Sequence, residues 1–403
     1  MFSSTNDYLI KFSEIVLFCL CPLVFFIPRG AVVVLAIVGL LGWISQGLKP
    51  LSLLKNPVSI TILALIAWAG LSSLWAPIPA DSIRLSLRLM AFLLLGVGWA
   101  SWIQSRSSSD LSVLKRRLFY GIVLALTLIF IDVLLGNPWQ QFAEKSSAKA
   151  FVPLVLTLSL AIWPCLSLVS GKLKNCLGMA FVIGILLTID SDTAVVAIVC
   201  GAVAYLSYHL LPRFTEKGLN LGTLFLILGL PWLLSGLLTD SFIKDFNQSV
   251  RSFSYIHRLY IWQFVSHKIT EKSLIGQGGD SSRAALVGGE EKVWSTINKA
   301  GEDVPIHSKA ISLHPHNLPL QIWLELGAVG AFIMAALSYF LLRGINRYSV
   351  KDAAIIVGFF AAASLTFLVN LGCWQSWWLA TLVLIMPLLY ASPKTPLASS
   401  LDI

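Results

Sequence analysis

Apolar runs of about twenty residues recur from one end of this 403-residue chain to the other, and they leave few folds open. Coiled as a helix, such a run matches the roughly 30 Å hydrocarbon core of a bilayer. In lipid every backbone N–H and C=O must be paired within the protein, so the runs must be helical. By length and flanking charge they fall at about 12–28, 30–48, 58–75, 83–103, 116–135, 150–170, 175–190, 193–211, 220–238, 318–342, 352–371 and 376–392. The pattern predicts an all-α, polytopic integral membrane protein of about twelve transmembrane helices. With 57% hydrophobic and only 12% charged residues, an ordinary soluble domain is excluded. Trp43, Trp75, Trp99, Trp102, Trp139 and Trp163 lie near predicted span ends, where Trp favours the membrane–water interface.

One interval breaks the pattern. Between about Thr239 and Asn317 no run is long enough to span, and charged residues accumulate. Within it, His257 to Lys272 places Leu259, Trp262, Phe264, Val265 and Ile269 broadly on one face and predicts a helix. Gly276 to Ile311 is rich in Gly, Ser and polar residues and reads as loop or short helices. The expected organisation is an N-terminal bundle of about nine helices over 1–238, a large extramembrane loop over 239–317, about three helices over 318–392, and a tail over 393–403. No internal repeat is visible.

The net charge of +9 sits in short loops, which makes it a topology signal and not a nucleic-acid footprint. One side receives Lys11, Lys49, Lys55, Arg106, Lys115, Arg116, Arg117, Lys172, Lys174, Arg213, Lys217, Arg343, Arg347, Lys351 and Lys394; the other holds chiefly Arg29, Lys145 and Lys149. The charge-rich side is expected to be cytoplasmic, with both termini, and the long loop to face the periplasm of a Gram-negative cell. Nothing near Asp7, Lys11 and Glu14 resembles a cleavage site, so the first run reads as a retained span. All six cysteines fall in or beside apolar runs, which predicts neither a disulfide framework nor a cysteine metal site.

The polar interval closes on His314-Pro315-His316-Asn317, at the point where the chain re-enters a helix. His316 can take or give a proton near neutral pH, and Asn317 beside it could orient a ligand. The alternative is a polar helix cap. His314, His316 and the nearby His307 also admit a metal reading, but no acidic or cysteine ligand lies close in sequence and H-E-x-x-H is absent, so no metal is expected. Arg258 opens an amphipathic piece; a guanidinium there can fork onto two phosphate oxygens or join a salt bridge. Arg84 and Arg88, four residues apart, share a helix face at the non-cytoplasmic start of a span and would suit a diphosphate; snorkelling to lipid headgroups is the alternative. Gly276-Gln277-Gly278-Gly279 reads as a turn, with a lesser case for an anion-binding nest. Asp190 and Asp192 read as a solvated turn. Asn370, Trp374, Gln375, Trp377 and Trp378 either stack on sugar rings or belt the interface. Glu290 and Glu291 are unremarkable loop carboxylates.

Several of these segments resemble the O-antigen ligase family, within the wider group that includes O-antigen polymerases and bacterial protein O-oligosaccharyltransferases. Arg258-Leu-Tyr-Ile-Trp262, Ser273-Leu-Ile-Gly-Gln-Gly278 and His316-Asn317-Leu-Pro-Leu320-Gln-Ile-Trp-Leu-Glu325-Leu-Gly327 are similar to the family's large-loop signature. Leu74-Trp75-Ala76-Pro77 resembles its first outer loop; Lys149 to Pro164 and Trp374-Gln-Ser-Trp377-Trp378 resemble segments of the ligase branch. Ser191-Asp192-Thr193 departs from a Ser-Arg-small pattern, and Lys149 stands where an Arg is common; both bear on the branch and hence on the acceptor.

The resemblance implies an inner-membrane glycosyltransferase of the GT-C kind working outside the cytoplasm without metal, nucleotide or other cofactor. Its donor would be a glycan on undecaprenyl diphosphate, its acceptor a lipid A–core hydroxyl, with membrane lipids around it. Arg84, Arg88 and Arg258 would hold the diphosphate and His316 would act as base, giving inversion; His314, Asn317, Trp374 and Gln375 would line the site. A polymerase or a protein O-oligosaccharyltransferase would differ in acceptor only. A transporter of lipid-linked sugars, the reading from another class, would show internal repeats and midplane ionisable residues on broken helices.

Overall fold

The structure, a computed structural model, describes residues 2–145, 151–169, 192–250, 253–297 and 302–391, together with 171, 174, 178–180, 182–184 and 187. Most of the predicted span at 175–190, along with Cys176, Asp190, Lys149 and the tail, lies outside the described residues.

Helices form where apolar runs meet start signals. The order is α1 (Phe2–Phe26), α2 (Gly30–Gln46), α3 (Pro57–Leu71), α4 (Pro79–Gln104), α5 (Ser108–Leu134), the short α6 (Pro138–Lys145), α7 (Phe151–Leu166), α8 (Asp192–Leu210) and α9 (Pro212–Leu237). Beyond these come α10 (Asp240–Val250), α11 (Phe253–Glu271), a β-hairpin of β1 (Glu291–Ile297) and β2 (Asp303–Lys309), α12 (Leu318–Leu342), α13 (Val350–Val369) and α14 (Ser376–Tyr390). Asn56 caps α3 by accepting from the Ser59 amide at 2.8 Å, with Pro57 at the first helical position. Ser107 and Asp110 form a capping box on α5.

Among the described residues, eight helices are long and apolar enough to cross a bilayer, and α2 joins them if it is counted with the 3-10 turn Lys49–Lys55, to which it is bent by 110°. At 16 and 15 residues, α7 and α14 are shorter; they reach about 24 Å, less than the hydrocarbon core. Among the described residues, length and composition alone therefore support fewer spans than the expected twelve, with most of the run at 175–190 not among them. The fold is nearly all-α, as expected; the exception is a set of residues read as loop or short helices, which form an antiparallel hairpin with Val293 opposite His307 and Trp294 opposite Ile306. Alternating β-branched and aromatic residues carry the strand signal, diluted in the sequence by the Gly- and Ser-rich flanks.

Packing divides the bundle into two cores. One gathers α1, α2, α5, α7, α8, α13 and α14 around α7, which is buried along nearly its whole length. Here Gly201 of α8 and Gly358 of α13 admit the Trp163 indole between them, and a Cβ at either glycine would collide with that ring. The other core joins α3, the first half of α4, α9, α11 and α12 with the loops carrying Ala284, Ile311 and Trp374. From the polar interval, Ile261, Val265 and Ile269 of α11 and the loop residues Ala284, Val287 and Ile311 belong to this second core.

Candidate active site

The site is organised around a break in α12. Gly327 has φ +65° and ψ −162°, which divides the helix in two; only glycine adopts that backbone without strain. A broken helix leaves amides and carbonyls without i–4 partners, and burial makes each unpaired group costly. The segment Ser273–Gly278 threads past the break and supplies the missing partners. The Ala328 amide donates to Ser273 O at 2.8 Å, and the Gln277 and Gly278 amides donate to Leu324 O and Glu325 O, both at 2.8 Å. Trp68 Nε1 closes Leu326 O at 2.9 Å. The Gly276–Gly279 turn is therefore an internal tie: its Gly279 amide goes to Ser72 Oγ at 2.9 Å, and the next amide, of Asp280, goes to Glu325 Oε2 at 2.8 Å. Nothing of the anion nest remains.

Glu325, fully buried two residues before the break, accepts four hydrogen bonds. Oε1 takes the Ser282 hydroxyl and, at 3.0 Å, Gln321 Nε2; Oε2 takes the Asp280 amide and, at 2.6 Å, Trp374 Nε1. It thus ties the 280–282 turn to the 370–375 turn. Sequence reading quoted Glu325 inside a motif and gave it no role. The signal was available: a lone carboxylate inside an apolar run is costly and calls for partners.

The His-Pro-His-Asn turn sits on this platform. Asn317 is an N-cap, accepting from the Leu320 amide at 3.0 Å while its Nδ2 donates to Leu368 O at 3.1 Å. Both ends of its side chain are used, so the structure gives it the cap role and not the ligand-orienting one. Trp262 Nε1 donates to Pro315 O at 2.8 Å, pinning the turn to α11. His316 has φ +56°, and the two imidazole rings lie 4.1 Å apart.

Backbone partners set the two tautomers. The His316 amide donates to His314 Nδ1 at 3.2 Å, so a neutral His314 carries its proton on Nε2. That nitrogen is 3.1 Å from Gln375 Nε2, while Gln375 Oε1 is buried with no partner; a half-turn of the carboxamide satisfies both groups. Burial holds the His314 imidazole down to about 3, and the charges of His316, Arg283 and Arg258 push the same way. His316 is arranged oppositely. Its Nδ1 faces the carbonyl of Asn370 at 2.7 Å, and a carbonyl can only accept. The proton of neutral His316 is therefore on Nδ1 and the basic lone pair on Nε2. His314 braces; His316 has the tautomer of a proton acceptor.

Cations surround this pair. Arg88 Nη2 lies 3.3 Å from Asp280 Oδ2, and Arg283 Nη2 lies 3.9 Å from Asp280 Oδ1. Among the described residues, Arg88 Nε is buried without a hydrogen-bond partner. Burial raises the Asp280 carboxyl above its ordinary value, against the pull of Arg88 and then Arg283. Arg258 is half-buried on α11, and among the described residues it forms no ion pair. The charges of Arg258 and Arg283 both act on His314, so Arg258, Arg283 and the histidine pair share one electrostatic neighbourhood. Arg283 and Asp280 escaped sequence reading because nothing local distinguishes them in a polar loop.

Arg84 does not join the group. Its side chain is 73% exposed and pairs with Asp81 at 2.6 Å. The expected Arg84–Arg88 pair is split because Asp81, one turn earlier, captures Arg84, whereas Arg88 lies one turn deeper, where the Asp280 turn reaches it. The aromatic candidates are corrected as well. Trp374 is 6% exposed and bound to Glu325, and Trp378 is fully buried; neither offers a face to a sugar. Asp192 accepts from Tyr255 Oη at 3.0 Å, linking α8 to α11. Glu290 pairs with Lys292 at 3.3 Å on the exposed hairpin. Among the described residues, no three His, Cys, Asp or Glu side chains are grouped to hold a metal ion.

A bundle of long apolar helices with an imidazole–guanidinium cluster beside a broken helix defines the class, and comparison with known proteins narrows it. Residues 177–335 match the family described as O-antigen ligase, a stretch that takes in Arg258, Asp280, the His314–Asn317 turn and the break in α12. The chain is similar to the putative polysaccharide ligase of Rickettsia conorii, 27% identical over 362 residues that cover 86% of this chain and 83% of the relative. A putative polysaccharide ligase of Rickettsia felis is 27% identical over 352 residues, covering 82% and 79%. One of Rickettsia bellii is 24% identical over 340 residues with the same coverage. The resemblance to the O-antigen ligase family thus holds over the site-bearing stretch, and the likeness to polysaccharide ligases extends along most of the chain.

Proposed function

We propose that this protein is a membrane glycosyltransferase that moves a glycan from undecaprenyl diphosphate to a hydroxyl of lipid A–core, at the outer face of the bacterial inner membrane. The reading is supported above all by the His316 tautomer: Nδ1 held by the Asn370 carbonyl at 2.7 Å and a basic Nε2, within a cluster of guanidinium groups. In this reaction the acceptor oxygen attacks the anomeric carbon as its proton passes to His316 Nε2. The C1–O bond to the diphosphate breaks on the opposite face, and the configuration inverts. Arg88, Arg258 and Arg283 stabilise the charge that grows on the leaving diphosphate. The donor is already activated, so neither nucleotide nor metal is required by this scheme. The basic short loops support a topology with both termini in the cytoplasm and the site toward the periplasm.

A transporter would also use a broken helix. Here the break in α12 is closed by the protein's own Ser273–Gly278 segment, and Glu325 has its acceptor positions filled internally. That favours catalysis over passage.

The test uses purified protein in lipid nanodiscs with lipid-linked glycan, supplied either with lipid A–core or with more lipid-linked glycan. Transfer to lipid A–core is expected; elongation in the second mixture would assign a polymerase instead. His316→Ala should retain folding and lose transfer by about 100-fold or more. Wild-type rates in His316→Ala would remove the base assignment.

A further inference from the structure

Asp280 is the carboxylate nearest two of the three site cations, and its placement is unusual. It has φ +57°, a left-handed conformation that Asn and Asp tolerate better than other side-chain-bearing residues. Its amide is fixed to Glu325 Oε2 at 2.8 Å. That anchor, with the Gly279 tie to Ser72 Oγ at 2.9 Å and the Ser82 hydroxyl on Gly279 O at 2.9 Å, sets the carboxylate between α4 and the loop. From there its two oxygens face two different guanidinium groups, at 3.3 and 3.9 Å. Both contacts are longer than the 2.7–2.9 Å of a tight charge-assisted hydrogen bond. Neither arginine is gripped in a bidentate fork, and Arg88 Nε is buried with no hydrogen-bond partner among the described residues. A purely structural salt bridge in a half-buried site would close these distances and fill that donor.

We infer that Asp280 is a positioning residue, an internal counter-carboxylate that holds Arg88 and Arg283 side by side in the resting site and yields them to the diphosphate of the incoming donor. This rests on the proposed reading of the site as a lipid-diphosphate site. A carboxylate carries one negative charge and a diphosphate two to three, so exchange favours the ligand, and the Arg88 Nε donor gains an acceptor. Burial raises the Asp280 carboxyl above its ordinary value, so once the arginines turn to the diphosphate it takes up a proton more readily than a free carboxylate and does not stay as an unpaired charge. The carboxylate therefore competes with the donor headgroup while keeping the two guanidinium groups from separating or turning to lipid phosphates.

The variant is Asp280→Asn, which keeps the backbone conformation, the amide donor and the volume. Binding of inorganic pyrophosphate to the purified full-length protein in uncharged nanodiscs is measured first, because it does not depend on transfer. Asp280→Asn should bind pyrophosphate about five- to tenfold more tightly than wild type, since a competing charge is gone. Arg88→Ala should bind it more weakly. In nanodiscs containing phosphatidylglycerol the gain should persist for pyrophosphate; if phosphatidylglycerol abolishes it, the cations serve a lipid headgroup and the proposal fails. With the lipid-linked donor, KM should fall while kcat also falls, a split that mere loss of stability would not produce. Equal or weaker pyrophosphate binding by folded Asp280→Asn overturns the inference. Should that variant not fold, Asp280→Gly, which also accepts positive φ, is put to the same comparison. Tighter pyrophosphate binding without any glycan transfer by the wild type would leave the counter-ion role standing and refute the transferase reading.

Discussion

The two ends of the bundle handle positive charge in opposite ways. At the end formed by the start of α5, the end of α7 and the start of α13, cations are absorbed locally. Lys115 Nζ donates to Ser167 Oγ at 3.0 Å, Lys351 Nζ to Ser167 O at 2.7 Å, and Arg117 pairs with Glu14 at 2.9 Å. At the other end, Arg88 and Arg283 share one carboxylate at long range and Arg258 has no ion pair among the described residues. The first end is richer in lysine and arginine, yet it is at the poorer end that guanidinium groups gather beside two imidazoles, two of them on a single carboxylate. Counting basic residues reports orientation; only the partners of each cation report chemistry.

The largest effect that could break this contrast is on catalysis. Arg258→Ala should reduce glycan transfer by about 100- to 1000-fold with intact folding, as expected for removing a charge that stabilises the transition state. Arg258→Lys should recover only part of it, since an ammonium lacks the planar fork. Lys351→Ala, at the opposite end, should leave initial rates within about twofold of wild type, since its charged hydrogen bond to Ser167 O contributes about 1.5–3 kcal/mol to stability and touches none of the reacting groups. Equal losses in Arg258→Ala and Lys351→Ala would erase the distinction between the ends.

A smaller effect, on stability, sharpens the account of the platform. Glu325→Ala should destabilise the protein by about 3–5 kcal/mol, because four buried donors lose their acceptor at once. Glu325→Gln keeps the shape and one acceptor oxygen and should cost less. Unfolding in detergent, followed by tryptophan fluorescence, measures both, and Trp374 reports directly on the lost contact. A neutral Glu325→Ala would mean that the two turns are held by something else.

The smallest effect concerns acid. His314 is held down to about 3 by burial, well below the ordinary histidine value near 6.5. Between those values the unfolded chain binds a proton that the folded site refuses. Stability from this group is complete above pH 6.5 and declines as pH falls toward 3, by up to about 1.4 kcal/mol per unit. His314→Asn should flatten the acid limb of a stability–pH curve measured from pH 7 to 4. An unchanged slope would show that His314 is not kept neutral in the folded protein.

Much of the fold could be read directly from the chain. Nearly every apolar run emerges as a helix, and start signals such as Asn56-Pro57 and Ser107…Asp110 mark their ends, because helix formation in lipid depends on local composition. The hairpin was missed because its alternation spans only seven residues per strand in a polar setting. Gly327 was read as part of an unbroken span; a glycine inside a helical run becomes a break only when another segment can pair the freed backbone, and Ser273–Gly278 lies some fifty residues earlier.

For the site, the sequence by itself determined the residue types and their approximate level: a histidine pair at a helix entrance, arginines on the same side, a glycine-rich turn. The tertiary structure alone decided which of them act together. Arg84 and Arg88, neighbours in sequence, separate, while Arg88 and Arg283, nearly two hundred residues apart, meet at Asp280. Asn317 and Trp374 turn out to be structural ties, and Glu325 becomes the hub. The physical reason is that helix formation follows from local composition, whereas the proton position on His316 is set by a carbonyl at Asn370, and the freedom of a guanidinium by whichever carboxylate folding brings within reach.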